Sequence, residues 1–205
     1  MPRMTRQMGM MPQTNAWPNR LKSFPGMSKF QQMAGFAAAS QVPQMILFLD
    51  FDGVLHPDPC PTVDRLFENA DRLSATLEQF PEVGIVLSTS WRTMYAEQEL
   101  LQVLPEPLRR RIVGMTPCFS DFSTAAHRTP YHRHAECEQW LRAHDMTDSP
   151  WVALDDRAYW FVPYCENLIA CHPERGYDDD VRARLHSALT IARKRMVDDV
   201  DLLVL

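Results

Sequence analysis

The chain has 205 residues, 45% of them hydrophobic and 23% charged, which is enough to bury one core and too little for several. The formal net charge of -5 argues against a broad electrostatic grip on nucleic acid, and no apolar run reaches the roughly 18 residues that cross a bilayer. Five cysteines (Cys60, Cys118, Cys137, Cys165, Cys171) form no C-x-x-C pair and are odd in number, so neither a disulfide framework nor a zinc knuckle is indicated, and a reducing, cytoplasmic location is expected.

Residues 1–44 hold seven of the twelve methionines, five bases (Arg3, Arg6, Arg20, Lys22, Lys29), no acid and little apolar periodicity. They read as an irregular or disordered leader, with one domain over residues 45–205. Met45 to Leu49 is a short continuous apolar run, the pattern of a strand buried on both faces, and it ends in Asp50 and Asp52 with Gly53 directly after. Val63, Leu66, Phe67, Ala70, Leu73, Leu77 and Phe80 recur at helical spacing, predicting a helix over Thr62 to Phe80 that Pro81 ends. Val83 to Leu87 reads as a second buried strand running into Ser88-Thr-Ser-Trp-Arg92. A helical pattern resumes over Met94 to Leu104, and Arg111 to Met115 reads as a third strand. A loop from Thr116 to Pro130 is long enough to border a site.

Tyr131 to His144 reads as a helix with Cys137, Trp140, Leu141 and His144 on its inner face. Trp151 to Leu154 is a fourth strand ending in Asp155-Asp156, and Asn167 to Cys171 a fifth. Asp178 to Asp180 open a long helix whose apolar face carries Val181, Leu185, Leu189, Ala192 and Met196, with Arg193-Lys-Arg195 suited to its negative end. Strands alternating with helices predict an α/β fold, a three-layer Rossmann-like parallel sheet with helices on both faces.

Three strands of this sheet end in polar clusters: Asp50 with Asp52, Ser88 with Thr89 and Ser90, and Asp155 with Asp156. A parallel sheet brings its carboxyl ends to one edge, so these clusters can share a pocket. Carboxylates gathered in that way repel unless a cation or a shared proton relieves them, and hard oxygen ligands with a substrate phosphate form the usual magnesium site. Gly53 allows the backbone to come close to a ligand there, and Thr89 and Arg92 stand among the residues that could contact it.

Asp50-Phe-Asp-Gly-Val-Leu55 resembles the first motif of the haloacid dehalogenase (HAD) superfamily. The resemblance implies that Asp50 is a nucleophile forming an aspartyl-phosphate and that Asp52 is the general acid and base. Ser88 is similar to the second motif, a hydroxyl that bonds the phosphoryl oxygen. Asp155-Asp156 is similar to the fourth, an acidic pair that holds magnesium, which Asp50 and Asp52 would help to ligate. The third motif is a lysine or arginine. No lysine lies between Lys29 and Lys194, so Arg133 is the first choice and Arg128 the second. The resemblance spans about residues 45 to 172 and implies an HAD-type phosphomonoesterase using Mg2+.

Only 37 residues separate Asp50 from Ser88, and one helix with its flanks uses nearly all of them, so no large cap domain is expected. An open site favours a bulky phosphorylated substrate such as an RNA or DNA end. The Leu-Asp-Phe-Asp-Gly-Val-Leu-His, Leu-Ser-Thr-Ser-Trp-Arg and Trp-Val-Ala-Leu-Asp-Asp runs also resemble those of a capless group found joined to RNA-repair domains. A silent binding module on the same fold, or a phosphotransferase, are the alternative readings.

Overall fold

A computed structural model describes residues 43–121 and 129–203. The leader, apart from its last two residues, and Arg128 therefore lie outside the described residues. The core is one five-stranded sheet of Met45–Leu49 (β1), Val83–Leu87 (β2), Ile112–Met115 (β3), Trp151–Asp155 (β4) and Leu168–Ala170 (β5), in the order β3-β2-β1-β4-β5. Every adjacent pair is parallel. All residues of β1 and β2 are buried, which is why both strands are continuous apolar runs without alternation.

The chain moves outward from β1 through β2 to β3, then returns across β1 to lay down β4 and β5. The order reverses between β1 and β4, the place where open α/β sheets form a crevice at their carboxyl ends. Register carries the side chains there in step. Leu49 pairs with Leu87 and with Leu154, and the next amides continue both ladders, Ser88 N donating to Leu49 O (2.8 Å) and Asp50 N to Leu154 O (3.1 Å).

The helices are Ala70–Leu77 (α1), Glu97–Gln102 (α2), Glu106–Arg109 (α3), His132–Ala143 (α4) and Asp179–Leu203 (α5). Strand alternation puts Ile46 and Phe48 of β1, Val86 of β2 and Ala153 of β4 on one sheet face, where they form a buried cluster with Cys137, Trp140 and Leu141 of α4. Two residues further along each strand, the same alternation gives Asp50, Ser88 and Asp155. One turn before Cys137 on the same stripe of α4 stands Arg133. The apolar pattern that seats α4 on the sheet thus also delivers Arg133 over the ends of three strands.

Three sequence expectations are corrected. The helix expected from Thr62 begins only at Ala70, because Phe67 adopts φ 60° and a left-handed residue cannot continue a helix. Its ring is instead buried at 5.3 Å from that of Phe51. His144 is not an inner-face residue. It caps the carboxyl end of α4, exposed, with its ring stacked on Trp140 at 4.0 Å. The run Arg193-Lys-Arg195 does not end α5, which continues to Leu203, and Arg193 reaches sideways to Glu82 (2.5 Å) and over the Phe80 ring.

Among the described residues, no helix is long and apolar enough to cross a membrane. No large cap domain interrupts the described chain between β1 and β2.

Candidate active site

Asp50 leaves β1 at the reversal point with 2% of its surface exposed. Its Oδ1 accepts the Phe51 amide at 2.7 Å, and the neighbouring Thr89 side chain favours its charged form. Burial raises its pKa above the ordinary carboxylate range; the nearby Arg133 guanidinium opposes that rise and Asp52 adds to it. The Ser88 hydroxyl lies on the α4 side of the sheet, 3.9 Å from the Cys137 thiol.

Arg133 is 3% exposed, with Nη2 3.5 Å from Asp50 Oδ2 and Nε 3.2 Å from Asp155 Oδ2. Its guanidinium lies 5.3 Å from the centroid of the Trp160 ring. The far side of its fork meets Glu136, one turn on, at 3.4 Å. Glu136 is itself buried, is paired with Arg92 at 2.5 Å and accepts the Phe119 amide at 2.9 Å. One carboxylate therefore braces two arginines. A charge that deep is tolerated only when it is paired and hydrogen-bonded.

Asp50, Asp155 and Asp156 each present an oxygen within 4.8 Å of the others. Burial drives the Asp155 pKa up to about 8 and that of Asp156 up to about 6, the charge on Asp50 adding to both. Asp155 Oδ2 and Asp156 Oδ1 are buried and accept no hydrogen bond, although Arg133 and Arg157 stand within ion-pair range of them. Three converging carboxylates with two unbonded oxygens suit a hard, oxygen-seeking divalent cation such as magnesium. Gly53 makes this packing possible. Its φ is +65°, and a Cβ added there would stand 2.5 Å from Asp156 Oδ2. What lies against Gly53 in the structure is the Asp156 side chain.

Asp52 points elsewhere. Its Oδ2 accepts the Trp91 indole N–H at 2.9 Å and its Oδ1 lies 3.1 Å from His56 Nε2, so its carboxylate is not one of the three that converge. Two side chains hold it toward an aromatic wall. Arg92, expected to contact substrate, directs its guanidinium inward to Glu136, to Thr89 O and to Pro117 O, leaving 5% of the side chain exposed.

A family model described as the HAD domain in Swiss Army Knife RNA repair proteins matches residues 46–181. The chain belongs to that family. No curated protein and no solved structure matches it. HAD domains are generally hydrolases of the phosphatase type, and the acidic strand ends of this one could bind a metal.

Within this HAD domain, sequence reasoning missed His56, Trp91, Glu136 and Trp160. Signals for the first three were present: His56 stands four residues after Asp52, Trp91 closes the polar cluster after β2, and Glu136 lies one helical turn from Arg133. Trp160 gave none, because its place over Arg133 depends on how the chain turns after β4.

Proposed function

We propose that this HAD domain is a magnesium-dependent phosphomonoesterase that works through an aspartyl-phosphate on Asp50 and acts on phosphorylated nucleic-acid ends, RNA above all. The observation that carries the reading is the surroundings of Asp50. A buried carboxylate at the sheet's reversal point has an arginine on one side and two unbonded carboxylate oxygens on the other.

An Asp50 oxygen forms a bond to phosphorus as the ester P–O bond breaks, and the departing oxygen takes a proton from Asp52. Asp52 then accepts a proton from water, whose oxygen bonds to phosphorus as the bond to Asp50 breaks. Inorganic phosphate leaves and both carboxylates are restored. Arg133 supplies fixed positive charge beside the phosphoryl oxygens, and Thr89 and Ser88 lie at the same strand end to orient Asp50 and the phosphoryl group. Magnesium held by Asp50, Asp155 and Asp156 would offset phosphate charge against the carboxylates.

The substrate class rests on the family description, which concerns RNA repair proteins, and on the lack of a large cap among the described residues. The five free cysteines suit a reducing, cytoplasmic compartment. Phosphate release from 3'- and 5'-phosphorylated oligonucleotides, with and without magnesium, tests the reading. Asp50→Asn preserves shape and should lower turnover about a thousandfold or more, as loss of a nucleophile does. Magnesium binding without phosphate release from any ester would mark a silent module and end the proposal.

A further inference from the structure

Asp52 and its neighbours form a second constellation, built from different chemistry than the acidic trio. His56 is 1% exposed and Trp91 6%, and each stands against a different oxygen of the same carboxylate. The backbone fixes which His56 nitrogen carries the proton. Phe67 N–H points at His56 Nδ1 over 3.5 Å, and an amide can only donate, so Nδ1 accepts and the ring proton belongs on Nε2, facing Asp52 Oδ1.

Phe67 occupies the left-handed region, φ 60°, which disfavours a bulky residue. That turn aims its amide at His56 and sets its ring edge-on to His56 (5.1 Å), Phe51 (5.3 Å) and Trp91 (5.6 Å). Neighbouring rings therefore fix the planes of both donors. The Asp52 side chain itself stays 25% exposed, open to a leaving group or a water.

We propose that His56 and Trp91 are positioning residues that hold one Asp52 oxygen each, fixing the direction in which that carboxylate gives and takes the proton, with Phe67 setting the imidazole tautomer. The proposal rests on the reading of Asp52 as the acid and base. Each carboxylate oxygen has a second lone pair, so an oxygen that accepts an N–H can still carry the transferred proton. A donor on each oxygen prevents rotation about the carboxylate bond, and loss of orientation by about 1 Å is costly in such steps.

Steady-state kinetics on two esters tests this: an alkyl phosphate, whose leaving oxygen must be protonated, and a nitrophenyl phosphate, whose leaving group departs as the anion. His56→Leu should lower kcat/KM, which reads formation of the aspartyl-phosphate and not its hydrolysis, about fiftyfold for the alkyl ester and less than about fivefold for the nitrophenyl ester. His56→Gln, which can still donate an N–H, should recover most of the loss, and Trp91→Phe should repeat the pattern more weakly. Adding His56→Leu to Asp52→Asn should cost nothing further. Equal losses of kcat/KM on both esters, no recovery in His56→Gln, or additivity with Asp52→Asn would overturn the proposal.

A nitrogen-15 NMR measurement on the wild-type protein reads the same geometry without turnover or a variant. His56 should show a protonated Nε2 and an unprotonated Nδ1, and the opposite tautomer would refute the arrangement. Should Asp50→Asn prove as active as wild type, the phosphatase reading fails on its own, and the tautomer still decides the placement of His56.

Discussion

Asp50 and Asp52 are two residues apart in sequence and live in opposite electrostatic worlds. Asp50 is buried among charges: Arg133 at 3.5 Å and two further carboxylates within metal-binding reach. Asp52 is held by an indole and an imidazole against a wall of rings, with a quarter of its side chain open to solvent. Strand alternation alone would put residues i and i+2 on one face, so the division comes from the turn after β1, which Gly53 at φ +65° bends sharply. The difference shows how one motif obtains two functions from one residue type. Burial beside a fixed cation suits a group that stays in place and bonds to phosphorus, while neutral donors and an open edge suit a group that trades a proton.

The largest effect should come from emptying the charged side. Asp155→Asn removes one of the three converging oxygens and should cut turnover at millimolar magnesium by about a hundredfold or more, with partial recovery as magnesium is raised. The same substitution should have the opposite sign for stability without metal. In the unfolded chain Asp155 loses its proton near 3.8, and in the folded protein only at about 8. Between those values the unfolded chain binds fewer protons, so stability falls as pH rises. In chelator, thermal unfolding of Asp155→Asn should therefore occur above that of wild type at pH 8, with the gap closing toward pH 4. A gap that widened on acidification would contradict the desolvation account of this site.

Arg133 comes next. Arg133→Ala leaves Asp50, Asp155 and Glu136 short of a positive partner and should weaken vanadate binding by about 2 kcal/mol, near thirtyfold, on the scale of a lost charge-assisted hydrogen bond. Arg133→Lys should fall between, because an ammonium cannot span two acceptors with a planar fork. Arg92→Ala provides the contrast. Its guanidinium is spent on Glu136 and on the carbonyls of Thr89 and Pro117, so the melting temperature should drop with vanadate affinity nearly kept. The reverse ranking would make Arg92 the phosphate cation.

The charged side was far more legible in the sequence than the aromatic side. Asp50, Ser88 and Asp155 each end an apolar run, so counting by twos along a strand is enough to place them, and β1 and β2 match their expected bounds. Arg133 was a choice implied by the resemblance, whose third motif asks for a lysine or arginine near a helix start in a chain with no lysine between Lys29 and Lys194. The aromatic side depends on a left-handed Phe67 inside what reads as a helix, and periodicity cannot report that. Leu66, Phe67, Ala70 and Leu73 fit a 3.6-residue repeat whichever way the backbone turns, so tertiary packing overrode the local pattern. The pairing of Glu136 with Arg92 was hidden for another reason: it links β2's loop to α4 across 44 positions, and spacing shows only the shorter step from Glu136 to Arg133.

Gly53 joins the two sides, and the smallest of these effects should be read there. A Cβ at this position would meet Asp156 Oδ2, Cγ and Cβ at 2.5 to 2.7 Å, and φ +65° disfavours any L side chain by about 1–2 kcal/mol. Rotation of the Asp156 carboxylate relieves the Oδ2 and Cγ contacts and a small backbone shift the one to Cβ, so Gly53→Ala should fold with reduced stability. The rotation would carry one oxygen out of the converging trio and raise the magnesium needed for half-maximal activity several-fold, while the His56 and Trp91 bonds to Asp52 persist. The expected signature is thus a magnesium requirement raised at an unchanged ratio of alkyl to nitrophenyl turnover, together with a melting temperature lowered by a few degrees. A changed ester ratio with an unchanged magnesium requirement would mean that Gly53 serves the Asp52 side, and that the two neighbourhoods are not separately held.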